Sequence, residues 1–301
     1  MKTATPATMG AKAVTDVPAD HADRRADTGR ILVLLDGSRM SYAALRAAAE
    51  IAARSGADVQ GVFVEELNLL RSAGYGFARE VGSVSGVSRP FDVAGLERRM
   101  QRLADQVRRA LAGAVGPYGG QYTLSITRGS VVEEVLALAE PDDLLVLGRV
   151  GWSSAPGARL GSTARGLLRR SPGRLLLWSE RQASRQGRIV VFLNDHEDAN
   201  RRAVKAAADA IRHVPQPATL LLGVGTDLSS QSLDVLRQGL GVPDSQVRVQ
   251  RLPATDPATV AKVLRQERAT QLVLSRECSL LQEPGSEQLL VALNLPLTVT
   301  P

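Results

Sequence analysis

The sequence predicts an α/β protein made of two consecutive open parallel sheets, each of five strands with helices on its faces. Three observations lead there. Short apolar runs alternate with longer helical segments, the whole strand–helix order occurs twice, and a polar stretch, SERQASRQG, separates the two occurrences. The expected boundaries are a disordered tail at 1–29, a first domain at 30–178, a linker at 179–187 and a second domain at 188–301.

The tail is rich in Ala, Thr, Asp and Pro and has no apolar period. Ile31 to Leu35 is an uninterrupted apolar run before a turn signal, as a buried parallel strand requires. The helix after it places Leu45, Ala48, Ala49 and Ala52 on one face. Residues 58–66 form a second strand. Residues 67–92, rich in Gly, Ser and Arg, read as irregular, either a lid or a mobile insertion. Val93, Leu96, Met100, Leu103, Val107 and Leu111 recur at three and four through a helix over 93–113. A third strand follows at 121–127. Ser130 with Glu133 then reads as a capping box opening a helix that buries Val132, Val135, Leu136 and Ala139. Strands at 143–148 and 174–178 flank a helix from about Gly161 to Arg170.

RIVVFLNDHEDANRRAVKAAADAIR then parallels RILVLLDGSRMSYAALRAAAEIAAR. Leu35-Asp36 aligns with Leu193-Asn194, and the first helix face aligns with Ala203, Ala206, Ala207 and Ala210. Further strands fall at 218–225, 246–252, 270–275 and 296–300, with Asp256 capping a helix that begins at Pro257.

Composition narrows the class. The 301 residues are 44% hydrophobic and 3% aromatic, so the cores are built from Leu, Val, Ile and Ala. No apolar run approaches the ~18 residues of a membrane helix, and the N-terminus lacks a signal-peptide core. Cys278 is the only cysteine, which excludes an intrachain disulfide and suits the reducing cytoplasm. The net charge is +6, and of 37 basic side chains only Lys2, Lys12, Lys205 and Lys262 are lysines. The arginines are interleaved with acids on helix faces, which favours a solvated surface over a nucleic-acid groove.

The chemistry concentrates in LGRVGWSSAPGARLGST, residues 147–163. Gly148 ends a strand and Gly161 opens a helix, the junction where open parallel sheets bind ligands. Free N–H groups and the dipole at a helix start favour an anion, and glycines let backbone approach a phosphate. Ser162 and Thr163 could add hydroxyl donors, and Arg149 and Arg159 could add charge. No G-x-x-x-x-G-K-[ST] is present. LLDGSRMS stands where a dinucleotide fingerprint or the Gly-Gly pair of adenylating pyrophosphatases would be.

Gly148-x2-Gly151-x9-Gly161-Ser162 resembles the G-x2-G-x9-G-[ST] signature of the ATP-binding universal stress proteins. ILVLLDGS with its Ala-rich helix, and SPGRLLLW, resemble that family's first and closing strands. The likeness is good over 30–178 and weak over 188–301. It implies a Rossmann-like five-stranded fold that binds ATP, with Mg²⁺ able to accompany it on phosphate and water. Leu35 and Asp36 would stand at the adenosine part and Val64 would line the adenine pocket. Gly148, Gly151 and Gly161 would cradle ribose and phosphates, with Ser162 and Thr163 on the phosphates. Other readings of the same residues stay open: Asp36 as a turn residue or cap, Val64 as core, the loop as plain surface. Trp152 after the second glycine departs from the family pattern.

In the second half Ser275 and Cys278 replace Gly148 and Gly151, and only six residues precede Gly285-Ser286. That half reads as degenerate, binding nucleotide weakly or not at all. NDHED at 194–198 reads as a helix start rather than a metal cluster, His21 lies in the tail, and His213 ends a helix. Cys278 reads as a small buried residue, and no hydrolase triad is present.

The expectation is a cytoplasmic tandem universal stress protein whose ATP occupancy regulates a protein partner or a conformation. The alternatives are a slow ATPase or nucleotidyl-transfer enzyme, and a nucleotide-free scaffold. The family associates through its last strands, which implies pairing of 174–178 with 296–300 within the chain and leaves a homodimer open.

Overall fold

The computed structural model of the protein describes residues 29–66, 75, 77–82, 85–149, 160–179, 187–282, 293 and 295–301. Residues 1–28, residues 180–186 of the 179–187 linker, Gly151, Trp152, Arg159 and Gly285-Ser286 lie outside the described residues.

In chain order the first half contains β1 (Ile31–Leu34), α1 (Arg39–Ser55), β2 (Val59–Glu66), a hairpin of β3 (Arg79–Val81) and β4 (Ser88–Pro90), and α2 (Val93–Val115). It continues with β5 (Tyr122–Gly129), α3 (Val131–Leu138), β6 (Leu144–Gly148), α4 (Ser162–Arg170) and β7 (Arg174–Trp178). The second half contains β8 (Arg188–Leu193), α5 (Glu197–His213), β9 (Ala218–Leu222), α6 (Ser230–Gly239), β10 (Val247–Arg251) and α7 (Pro257–Gln266). It ends with β11 (Ala269–Ser275), the single turn α8 (Ser279–Gln282) and β12 (Leu297–Thr300).

One ten-stranded sheet runs β10-β9-β8-β11-β12-β7-β6-β1-β2-β5. Read outward from its last strand, each half has the same strand order. Every pairing in this sheet is parallel except that of β12 with β7, where Leu297, Thr298 and Val299 face Leu177, Leu176 and Leu175.

Local sequence explains the elements. Ser38 caps α1 by accepting from the Ser41 N–H, and Gly56, at φ 71°, ends it in the left-handed conformation that glycine adopts freely. Asp92 and Asp256 cap α2 and α7 in the same way as Ser38. Asp143, only 3% exposed, accepts from the Arg30 N–H at 3.1 Å and from its guanidinium at 3.0 Å, which ties the start of β1 to β6.

The structure corrects two expectations. Ser130 stands at the N-cap of α3, but its side chain makes no capping bond. Glu133 is instead engaged by Arg170 of α4 at 2.6 and 2.9 Å, so a stronger charged partner outcompetes the reciprocal cap. Within the segment read as irregular, β3 and β4 form an antiparallel hairpin, with Tyr75 stacked on Phe77 at 5.2 Å. Strands of three residues, with no buried side chain in either, are too short to leave a period to read.

On one face of the sheet, α1 and α2 cover Ile31, Val33, Leu35 and Val146, and α5 and α6 separately cover Ile189, Val191, Leu193 and Val273. The opposite face is different. There a single cluster runs from Leu32, Leu147 and α4's Leu167 through Leu175, Leu177, Leu297 and Val299 to Phe192 and α7's Leu264. The two halves therefore share one core through the β7–β12 seam. Leu177→Ala removes a fully buried side chain at its centre. It is expected to cost ~2–5 kcal/mol and to lower the urea midpoint of both halves together. The check is unfolding followed by far-UV dichroism and tryptophan fluorescence.

Candidate functional site

The sheet's strand order reverses between β1 and β6: β1 leads through α1 to β2 on one side, and β6 lies on the other. The carboxyl ends of these strands form the crevice where such sheets take ligands. The register Leu34–Val62 continues to set Asp36 beside Val64, and the register Val33–Val146 continues to set Leu35 beside Gly148. The Gly161 N–H points to the Arg149 carbonyl at 3.5 Å, bringing the start of α4 to the same end. Asp36, Val64, Gly148, Gly161, Ser162 and Thr163 thus gather at one edge of the sheet.

Each residue plays a distinct local part. Asp36 is half-buried, and its Oδ1 accepts from the Ser38 N–H at 2.9 Å, closing the turn before α1. Its other oxygen has no partner among the described residues. The Asp36 carboxylate also adds to burial in raising the Tyr42 phenol. Leu35 is different: its side chain is 1% exposed and packs into the core under α1 and α2, so only its main chain borders the crevice. Val64 is half-buried and packs against the cluster that contains Leu34 and Val62.

The two described glycines of the loop are glycines for different reasons. A Cβ on Gly148 would lie 2.9 Å from Cγ and 3.0 Å from Cβ of Met40, in the first turn of α1. Packing alone therefore demands glycine there. At Gly161 the nearest described atom to an added Cβ is the Arg149 carbonyl oxygen at 3.9 Å, and φ −56°, ψ 149° suits any residue. Nothing in the described fold requires glycine at 161.

Gly161 is the N-cap of α4 and offers it no side-chain cap. The uncapped helices α3 and α5 carry Glu133 and Glu134, and Glu197 and Asp198, in their first turns, whereas α4 has no acid there. Among the described residues neither a cap nor an acid answers its positive end, which lies beside exposed Ser162 and half-buried Thr163, and such an end favours an anion.

Arg149 does not add its charge to this edge. It is 6% exposed, its Nη1 donates to the Leu293 carbonyl of the second half, and burial pushes its guanidinium down to about 10. Spacing alone could not reveal that a residue one step beyond Gly148 turns to a carbonyl 144 positions away. The repeat did carry a trace of it, because Gly148-Arg149 aligns with Ser275-Arg276.

The equivalent edge of the second half is shut. Asn194 and Ser275 are both buried, and Asn194 Nδ2 donates to Ser275 Oγ at 3.3 Å, linking the ends of β8 and β11. Asn194 Oδ1 accepts from the His196 N–H at 2.8 Å, the same turn that Asp36 makes. His196 is the N-cap of α5, and among the described residues no group of His, Cys, Asp and Glu could hold a metal. His213 ends α5 as expected, but burial lowers its pKa, so the cationic form suited to a helix end is disfavoured there. Cys278 is fully buried and its thiol is raised to about 12 by burial, which removes it from nucleophilic chemistry.

The contrast between the two glycines is measurable without ligand. Gly148→Val is expected to cost ~1–3 kcal/mol by overpacking against Met40. Gly161→Asp is expected to hold stability within about 1 kcal/mol of wild type, on the stabilising side, by capping α4. Urea unfolding of the two variants checks the pair.

Residues 28–177 match the Universal stress protein family. Two solved structures resemble the chain over nearly its whole length. A universal stress protein from Archaeoglobus fulgidus has a TM-score of 0.64 and 15% identity, covering 90% of this chain and 95% of its own. A putative universal stress protein from Pseudomonas aeruginosa has a TM-score of 0.57 and 14% identity, covering 91% and 93%. At these identities the likeness shows the α/β fold. A search of curated proteins finds no significant match. Among the described residues no helix is long and apolar enough to cross a membrane. On the sequence match and the fold together, residues 28–177 are a universal stress protein domain.

Proposed function

We propose that this chain is a tandem pair of universal stress protein domains in which the first binds ATP and the second does not, and that ATP occupancy acts as a regulatory signal in the cytoplasm. The observation that carries the reading is the difference between equivalent edges. In the first half α4 begins uncapped beside a crevice bordered by Gly148 and Asp36. In the second half Asn194 and Ser275 bond across the same place. The repeated strand order supports the tandem arrangement.

Within this reading the phosphates lie at the N–H groups of Ser162 and Thr163, where the dipole of α4 favours negative charge. Val64 supplies apolar surface for the base, and the free oxygen of Asp36 accepts from a ribose hydroxyl. Mg²⁺, if carried, is held mostly by phosphate and water. The hydroxyls of Ser162 and Thr163 have no general base beside them among the described residues, which supports retention of ATP over turnover.

ATP at about a hundredfold over Kd is expected to stabilise the chain by ~2.7 kcal/mol, a rise on the order of 5 °C in Tm. Gly161→Asp is expected to abolish the shift while leaving the unliganded Tm intact, because its carboxylate occupies the donors a phosphate needs. No shift in the wild-type chain would refute ATP binding, and rapid ADP release would replace the signalling role with an enzymatic one.

A further inference from the structure

Two arginines cross the β7–β12 seam in opposite directions. Arg149, just after β6, donates through Nη1 to the Leu293 carbonyl. Arg276, just after β11, donates through Nε to the Leu168 carbonyl at 3.0 Å and through Nη2 to the Ser171 carbonyl. Their backbones match as well: the Arg149 N–H donates to Trp178 at 3.2 Å, and the Arg276 N–H to Thr300 at 2.8 Å. Leu176 faces Thr298 at the centre of the seam, and five residues back from each stand Ser171 and Leu293. The acceptors thus hold equivalent places in the two halves, as the donors do. Burial lowers the pKa of each guanidinium, and each donates to carbonyl oxygens across the seam.

The two clasps differ in what they hold. Leu168 and Ser171 are the last turn and C-cap of α4, the helix whose N-terminus forms the candidate site. A cation on those carbonyls complements the negative end of the helix. The other end of α4 is tied through Gly161 to the carbonyl of Arg149.

We propose that Arg276, supplied by the half whose own edge is closed, is a positioning residue for the site in the first half: it clamps the C-terminal end of α4 and so fixes where its N-terminus presents N–H groups. The effect on ATP rests on the function proposed above; the clamp on α4 does not. Coupling of this kind is reciprocal. Ligand at the start of α4 tightens the seam, and loosening the seam weakens the ligand. The second half then has a role although its own edge is closed.

Hydrogen exchange and ATP titration on the full chain test this with Arg276→Met, Arg276→Lys and Leu236→Ala. The last destabilises the second half from α6 without touching α4. Arg276→Met is expected to speed exchange of the Arg165 and Ser171 amides about tenfold, leave α6 unchanged and weaken ATP about five- to tenfold. Arg276→Lys restores part of both effects, and Leu236→Ala reproduces neither. Unchanged exchange in α4, or equal acceleration in Arg276→Met and Leu236→Ala, would overturn the clamp. Faster α4 exchange with unchanged ATP affinity would overturn the coupling. Absence of ATP binding in the wild-type chain would instead remove the function and with it the coupling, while the exchange still decides the clamp.

Discussion

The antiparallel pairing of β7 with β12 is the constraint on which the rest of the molecule depends. It turns two open sheets into one and removes two edges that would otherwise present unpaired backbone. It also sets the apolar side chains of Leu175, Leu177, Leu297 and Val299 in a single layer, so that on one face the cores of the two halves are continuous. On the other face they stay separate, under α1 and α2 and under α5 and α6. Arg174 adds an ion pair across the join, reaching Asp209 of α5 at 2.7 Å.

The two halves are nevertheless unequal partners. The same fold places a strand end, a turn and a helix start at each candidate edge, yet the chemistry diverges with a few side chains. Asn194 and Ser275 close one edge by a hydrogen bond between themselves. Asp36 and Gly148 cannot do so, since glycine brings no side chain and Met40 fills the space one would need. The open edge belongs to the half whose α4 is held from across the seam by Arg276. Packing and candidate site are thus parts of one arrangement, in which a helix nine residues long is held at its C-terminal end by the neighbouring half and has no side-chain cap at its N-terminus.

Much of this is legible in the sequence. The strands and helices followed from apolar runs and periods of three and four, the repeat from aligned strands and Ala-rich helices, and the location of the edge from Gly148 and Gly161. Legibility failed where contacts compete. Ser130 and Glu133 have capping-box spacing, but Arg170 from another helix takes the glutamate. Arg149 sits in a glycine loop and suggests a phosphate ligand, but its side chain is consumed by the fold. Leu35 adjoins Asp36 in sequence, but alternation along the strand sends it into the core.

The sequence by itself determined the local elements, the doubling and the spacing of glycines, because periodicity and turn chemistry act over a few residues and are written in order along the chain. Only the tertiary structure decided the register of the seam, the reason Gly148 lacks a side chain, the closing of the second edge and the fate of the two arginines. Those depend on atoms 81 to 144 positions apart, and a contact at that separation leaves no period to read.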